Sequence, residues 1–298
     1  MGPVINSAES KVRVGYGKSF ASFGEIIQGC GSDDQHFLVT LPIDMWSICN
    51  ITCVERQGPT TINCSYEKSK HLAQILLKEL GLTEGFELNI SFSRNIPVGK
   101  GLSSSTADML STARALQELF GFILGKEYIS KIFSEIEPHD ALHYKSSVLY
   151  NHREGELLQD FEYIPRFNII FVDNGGQVDT VEFNKHIIIN AEYKQKYDAL
   201  VADVKAAFAA KSDDSIAQVA TESAQLLAAQ TNDPFIQNAL EQVQRFNALG
   251  MIVTHSGTCV GYLFPKTYSK EELEDKHDDI QRFFDKPTTT TTSLNLLA

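Results

Sequence analysis

The chain has 298 residues, 43% of them hydrophobic and 10% aromatic, and its formal net charge is −12. This composition excludes an intrinsically disordered chain. The acidic balance argues against broad binding to nucleic acid or an anionic membrane, yet leaves room for a local basic pocket that takes a nucleotide. The length suffices for one large domain or two subdomains with a packed core. Five cysteines occur, Cys30, Cys49, Cys53, Cys64 and Cys259, without a CxxC pair. With no secretory signal and no bilayer-length apolar run read in the sequence, the expectation is free thiols in a reducing cytoplasm.

Val12 to Phe20 reads as a first strand, and Ala21 to Gly29 as a compact loop or short helix. His36 to Leu41 and Trp46 to Val54 read as strands, with Pro42 and Asp44 punctuating the gap. Cys49 and Cys53 share one face of the second. Thr60 to Cys64 is a further short strand. Leu72, Ile75, Leu76 and Leu80 give Glu67 to Leu80 a helical stripe, ended by Gly81. Phe86 to Phe92 is a strand; Met109, Leu110, Ala113, Leu116, Leu119 and Phe120 then mark a helix. Glu127 to Ile136 is a helix stopped near Pro138. Ser147 to Tyr150 and Arg166 to Val172 are strands, followed by the turn Asp173-Asn174-Gly175-Gly176.

The second half is helical first: Ala191 to Ala210, Asp214 to Gln230, and Pro234 to Leu249, the last opened by Asp233-Pro234. Met251 to Thr254 and Cys259 to Phe264 are strands around the turn His255-Ser256-Gly257-Thr258. Glu271 to Phe284 is a charged helix. Pro287 opens a threonine-rich, low-complexity tail. The fold class is α+β with no internal repeat. We expect a first domain over residues 1–170, a second over 171–285, and the tail over 286–298.

Between the strand at 86–92 and the helix that follows lies Pro97-Val98-Gly99-Lys100-Gly101-Leu102-Ser103-Ser104-Ser105-Thr106-Ala107. Free N–H groups and the positive end of a helix dipole meet there, which suits a phosphate. Gly99 and Gly101 allow close approach of an anion, and Lys100 adds a charge. An ordinary capped helix after a tight loop is the bland alternative. The stretch is not a Walker A loop, since GxxxxGK[ST] spacing is absent; Gly15-Tyr16-Gly17-Lys18-Ser19 comes nearest, with Val12 in place of the first glycine. Rossmann and protein-kinase patterns are absent too.

Pro97 to Ala107 resembles the second motif of the GHMP kinases, Pro-x-x-x-Gly-Leu-x-Ser-Ser-x-Ala, with every fixed position filled. Ala21-Ser22-Phe23-Gly24-Glu25-Ile26-Ile27-Gln28-Gly29 resembles the first motif, in the form found in the L-threonine kinases of cobalamin side-chain synthesis. His255-Ser256-Gly257-Thr258 resembles a short third motif. Ile136-Glu137-Pro138-His139-Asp140 resembles that subfamily's Glu-Pro-Thr-Asp. Two departures stand out: Phe23 replaces the usual cysteine and His139 the usual threonine. Both fall beside expected acceptor contacts.

The resemblance implies a two-domain GHMP architecture and a kinase using ATP and Mg²⁺ on a small amino alcohol, with L-threonine or a relative as acceptor. A non-catalytic ATP-binding regulator and an ATP-dependent decarboxylase are the alternatives. It further implies that Pro97, Gly99, Lys100, Gly101, Leu102, Ser103, Ser104 and Ser105 cradle the triphosphate. Ser105 and Glu137 are the expected Mg²⁺ ligands, few and hard as that ion prefers. Asp140 is the expected base, and Lys18 or Lys100 the charge neutraliser. Glu25 and Gln28 are expected at the acceptor's amino end, Ser256 and Thr258 at its opposite end or the phosphate, and His139 and Gly257 among the other acceptor contacts. His139 and His143 lie four apart, a zinc-like spacing, but no third ligand is evident. No nucleic-acid or membrane partner is expected; a homodimer is compatible with the sequence.

Overall fold

The computed structural model describes residues 12–176, 190–254 and 258–295. Strands β1 (Val12–Cys30) and β2 (His36–Pro59) form a long antiparallel pair, and β3 (Thr61–Asn63), α1 (Glu67–Glu79), β4 (Glu84–Arg94) and α2 (Ser104–Phe120) follow. Then come α3 (Lys126–Ser134), β5 (Val148–Asn151), β6 (Glu156–Asp160) and β7 (Phe167–Asp173). The second half contributes α4 (Ala191–Ala209), α5 (Asp213–Thr231), α6 (Pro234–Glu241), β8 (Gly250–Val253), β9 (Cys259–Pro265), α7 (Lys270–Phe284) and β10 (Thr288–Thr292).

One ten-stranded sheet runs β10-β7-β9-β8-β1-β2-β4-β3, with β5 and β6 branching from β2. It crosses residue 170 without a break, because Glu25 of β1 pairs with Val253 of β8. The core crosses with it: Phe23, Ile26 and Leu41 pack in one cluster with Phe171, Ile252 and Leu263. All five cysteines are free thiols, and four of them are buried. Among the described residues no helix is long and apolar enough to cross a membrane.

Four expectations are corrected. Ala21 to Gly29 is neither loop nor helix; it continues β1. Register shifts at Phe20/Ala21, Ser22/Glu25 and Glu25/Ile27 are β-bulges, and they break the alternation by which a strand is read. The Pro42–Asp44 gap closes for the same reason, since Ala21 pairs with Ile43 and Ser22 with Pro42 inside a continuous β2. The third helix of the second half stops at Glu241, well before Leu249. The threonine tail is a strand: Thr288 to Thr292 pairs antiparallel with Val172 to Asn168.

Gly15 and Gly17 owe their place to packing, not to phosphate. A Cβ on Gly17 would lie 2.0 Å from the Ser111 carbonyl oxygen and 2.5 Å from the Ala115 nitrogen, so the α2 backbone rests directly on β1. Side chains of α2 also satisfy the strand: Tyr16 N–H donates to Glu118 Oε2 at 2.6 Å, and Arg114 donates to the Lys18 carbonyl at 2.6 Å. Gly17→Ala must push α2 outward and is expected to lower stability by about 2–3 kcal/mol, as overpacked cores do, measured by urea denaturation.

Candidate active site

The loop from Pro97 is anchored by two buried side chains, Ile96 and Leu102. Gly99 and Gly101 take left-handed φ of 72° and 73°, which folds the chain back at Lys100. Ser103 is the N-cap of α2, also left-handed at φ 56°, yet its side chain makes no cap hydrogen bond. The first intrahelical bond is Ala107 N–H to the Ser103 carbonyl, 2.9 Å. The preceding N–H groups, of Ser104 to Thr106, have no acceptor within the helix, and such a helix start stabilises an anion.

The Ser103 hydroxyl is used elsewhere. It donates to Asp140 Oδ2 and also bonds the Ser22 hydroxyl. One side chain therefore ties the 97–107 loop to the first motif and to the 136–140 segment. Glu25 joins the same knot. It is 3% exposed and close enough to Asp140 for that carboxyl to act on it. Burial raises its carboxyl well above the usual carboxylate range, and the charge of Asp140 adds to this. Glu25 Oε2 is buried without a partner. Gly24 brings Glu25 there: its φ is 45°, and a Cβ would lie 2.2 Å from the Val253 carbonyl oxygen.

Beside this knot, Ser105 Oγ donates to Glu137 Oε1 at 2.5 Å, and Lys68 of α1 pairs with the other carboxylate oxygen. These two hard oxygen donors suit Mg²⁺, which takes few protein ligands and leaves positions for phosphate oxygens and water. A groove of about 470 Å³, lined by Asn63, Cys64, Ser65, Lys70, Asn89 and Ser91 among others, adjoins the start of α1. Deeper in α2, buried Asp108 bonds Ser47 at 2.6 Å and pairs with Arg94 of β4, which fixes the helix axis.

The remaining expected residues distribute unevenly. Lys100 lies on the loop, but its ammonium is held by Asp173 and the Gly176 carbonyl. Lys18 is not in the cluster: it is exposed, with its ammonium 4.6 Å from the centroid of the Trp46 ring. Gln28 is half-buried further along β1, opposite Leu38. Thr258 is buried, and its carbonyl accepts from Asn174 N–H at 2.8 Å. Ser256 and Gly257 lie outside the described residues. Ser22, Lys68 and Asp173 were not singled out from sequence as site residues. Ser22 carried a signal, since it sits inside the first motif; Lys68 and Asp173 gave none, because their partners are distant in the chain.

His139 does not present its ring to an acceptor. It is 3% exposed, with Nδ1 3.0 Å from the Asp140 carbonyl oxygen and Nε2 3.1 Å from that of Ser130. Tyr150 Oη lies 3.2 Å from Nε2, and Ser130 Oγ lies 2.7 Å from His143 Nε2. These rings form a buried polar core behind the 137–140 segment. Phe23 likewise points away from the knot, 5.1 Å from Phe171 and filling the space above Gly261. Both departures from the resembled motifs are packing residues.

Burial, reinforced by His139, Lys126 and Arg114, lowers the His143 pKa from its ordinary 6.5 to about 3. Burial likewise lowers that of His139. The fold holds neutral rings, while the unfolded chain binds protons below pH about 6.5. This contribution is therefore complete above that pH and is lost as pH falls toward 3. The expected slope is up to about 1.4 kcal/mol per pH unit per ring. Urea denaturation between pH 7.5 and 4.5 should show a shallower acid limb for His143→Gln than for wild type.

Residues 67–147 match the GHMP kinases N terminal domain. The chain is 27% identical to an L-threonine kinase of Salmonella typhimurium over 88% of this chain and 84% of that one. It is 23% identical to a 4-diphosphocytidyl-2-C-methyl-D-erythritol kinase of Caldicellulosiruptor saccharolyticus, over 82% of this chain and 85% of the relative. A homoserine kinase structure from Cytophaga hutchinsonii superposes with a TM-score of 0.70 at 14% identity, covering 98% of this chain and 97% of that one. Residues 67–147 are thus a GHMP kinase N-terminal domain, and with the similar kinases they mark the chain as an ATP-dependent phosphotransferase.

Proposed function

We propose that the acceptor is the hydroxyl of a small amino alcohol, with L-threonine as the leading case. The observation that carries this is the Glu25–Asp140 pair, bonded through Ser103 to the nucleotide loop. The buried Glu25 carboxyl, one oxygen unpartnered, beside the half-buried Asp140 carboxyl favours a cationic group over water. An ammonium placed there would counter the burial and the Asp140 charge that raise the Glu25 pKa. A diphosphocytidyl acceptor, as in the name of the second relative, would instead bring negative charge toward this pair.

In this reading the triphosphate lies on the N–H groups that open α2, and the 470 Å³ groove beside α1 takes the base. Ser105 and Glu137 hold Mg²⁺, which when bound neutralises charge on the phosphate oxygens. Asp140 accepts the proton of the acceptor hydroxyl. The freed oxygen bonds to the γ-phosphorus as the bond to the ADP oxygen breaks. Ser103 keeps the Asp140 carboxylate turned toward the loop, and Ser22 fixes Ser103 from the other side.

Asp140→Asn is expected to lower kcat by about 10²- to 10⁴-fold while leaving the Kd for ATP within about threefold. Comparable loss of nucleotide binding would remove Asp140 from the base role. A screen of threonine, serine, homoserine and simple amino alcohols by coupled ADP release tests the acceptor class. Turnover is expected with at least one of them, and none with the corresponding hydroxy acids that lack the amino group. Silence across the amino-alcohol panel would defeat the reading.

A further inference from the structure

Lys100 sits at the tip of the nucleotide loop, where a phosphate ligand is expected, but its charge is already engaged. Its ammonium donates to Asp173 Oδ1 at 2.9 Å and to the Gly176 carbonyl at 2.8 Å, and it lies 2.8 Å from Asp173 Oδ2. An ammonium has three N–H donors, and these three oxygens account for them. Both side chains are largely shielded, 16% and 22% exposed, so water screens the pair less than it would a surface pair. A polyphosphate on this loop meets a lysine that must first leave its partner.

The two partners are unequally held. Asp173 ends β7, pairs with Cys259 of β9, and donates its N–H to the Pro287 carbonyl at 3.0 Å. Its Oδ1 also accepts Gly175 N–H at 2.9 Å, and Asn174 N–H reaches the Thr258 carbonyl at 2.8 Å. Asp173 is thus pinned from three sides. Lys100 stands between two glycines at left-handed φ on a loop outside any helix or strand, so it is the partner that can turn.

We propose that Asp173 sets the nucleotide affinity of this enzyme by competing with the triphosphate for the Lys100 ammonium. Asp173 is a positioning residue, acting through Lys100 on a ligand it does not itself touch. The inference rests on the reading of the 97–106 loop as the triphosphate cradle. It adds that nucleotide arrival exchanges an intramolecular ion pair for a lysine–phosphate one, which unties the loop from the end of β7.

The test is a double-mutant cycle read by calorimetric titration with a non-hydrolysable ATP analogue and Mg²⁺. Asp173→Asn, nearly isosteric, is expected to tighten the Kd by about fivefold, and Lys100→Met to weaken it by at least as much. In the Lys100→Met background, Asp173→Asn should change the Kd by less than about twofold, because the competition has been removed. Asp173→Ser should repeat the result of Asp173→Asn, and thermal denaturation reports whether each variant is folded. Equal tightening with and without Lys100 would mean that only the long-range charge of Asp173 acts, and overturns the proposal. Weaker binding by a folded Asp173→Asn protein overturns it as well, since Asp173 would then be aligning Lys100 for the phosphate. If the wild-type protein binds no nucleotide, the cradle reading itself falls, an outcome distinct from a flat cycle in a protein that binds.

Discussion

Ser103 begins α2 with its backbone in a left-handed turn and its hydroxyl directed to Asp140 and Ser22, not to the N–H groups of its own helix. A serine at this position ordinarily satisfies one of those donors. Diverting it does two things together. The helix start keeps its donors for an anion, and three segments far apart in sequence are pinned to one point. Residues 22, 103 and 140 come from a bulged strand, a helix cap and an irregular segment. Without that shared hydroxyl, nothing else described in the site holds Asp140 against the loop.

The carboxyl groups follow from this constraint. Asp140 is drawn to Ser103, and Glu25 is delivered beside it by the bulges of β1 and the positive φ of Gly24. Burial first, and then the neighbouring charge of Asp140, raises the Glu25 carboxyl above its usual range. Glu137, three residues before Asp140, is instead bonded by Ser105 and paired with Lys68. The site therefore separates its acids by partner: one faces the Ser105 hydroxyl and a lysine, the others lie beside each other.

How much of this was legible in the sequence depends on whether the information is local. The 97–107 loop was readable because two glycines at left-handed φ and a run of serines before an apolar helix are demands of the backbone itself. Glu25, Glu137 and Asp140 were readable because they sit inside short patterned stretches. The strand at 21–29 was not, since its bulges erase the two-residue period. Lys18 lies apart from the cluster, and no local pattern tells a lysine that rests on Trp46 from one that meets a phosphate. Phe23 and His139 show the same limit from the other direction. Each lies within two residues of a site carboxyl in sequence, but Phe23 packs against Phe171 and His139 sits in a buried histidine–tyrosine core. Lys68 and Asp173 depend on partners 69 and 73 residues distant, and no local pattern carries such a pairing.

The run of threonines in β10 has a meaning for the protein's behaviour at high concentration. It is the outermost strand of the sheet on the side of β7, so one row of its backbone groups lies on the sheet's outer edge. Threonine is β-branched and holds an extended conformation well, yet it offers neighbouring molecules a hydroxyl and a single methyl instead of an apolar comb. Thr289 and Thr290 are the exposed members, and Thr291 turns inward. Such an edge completes the ladder of β7 while giving little reward to a second chain that tries to extend it. A stretch whose composition alone looks like filler is thus the strand that closes this side of the sheet.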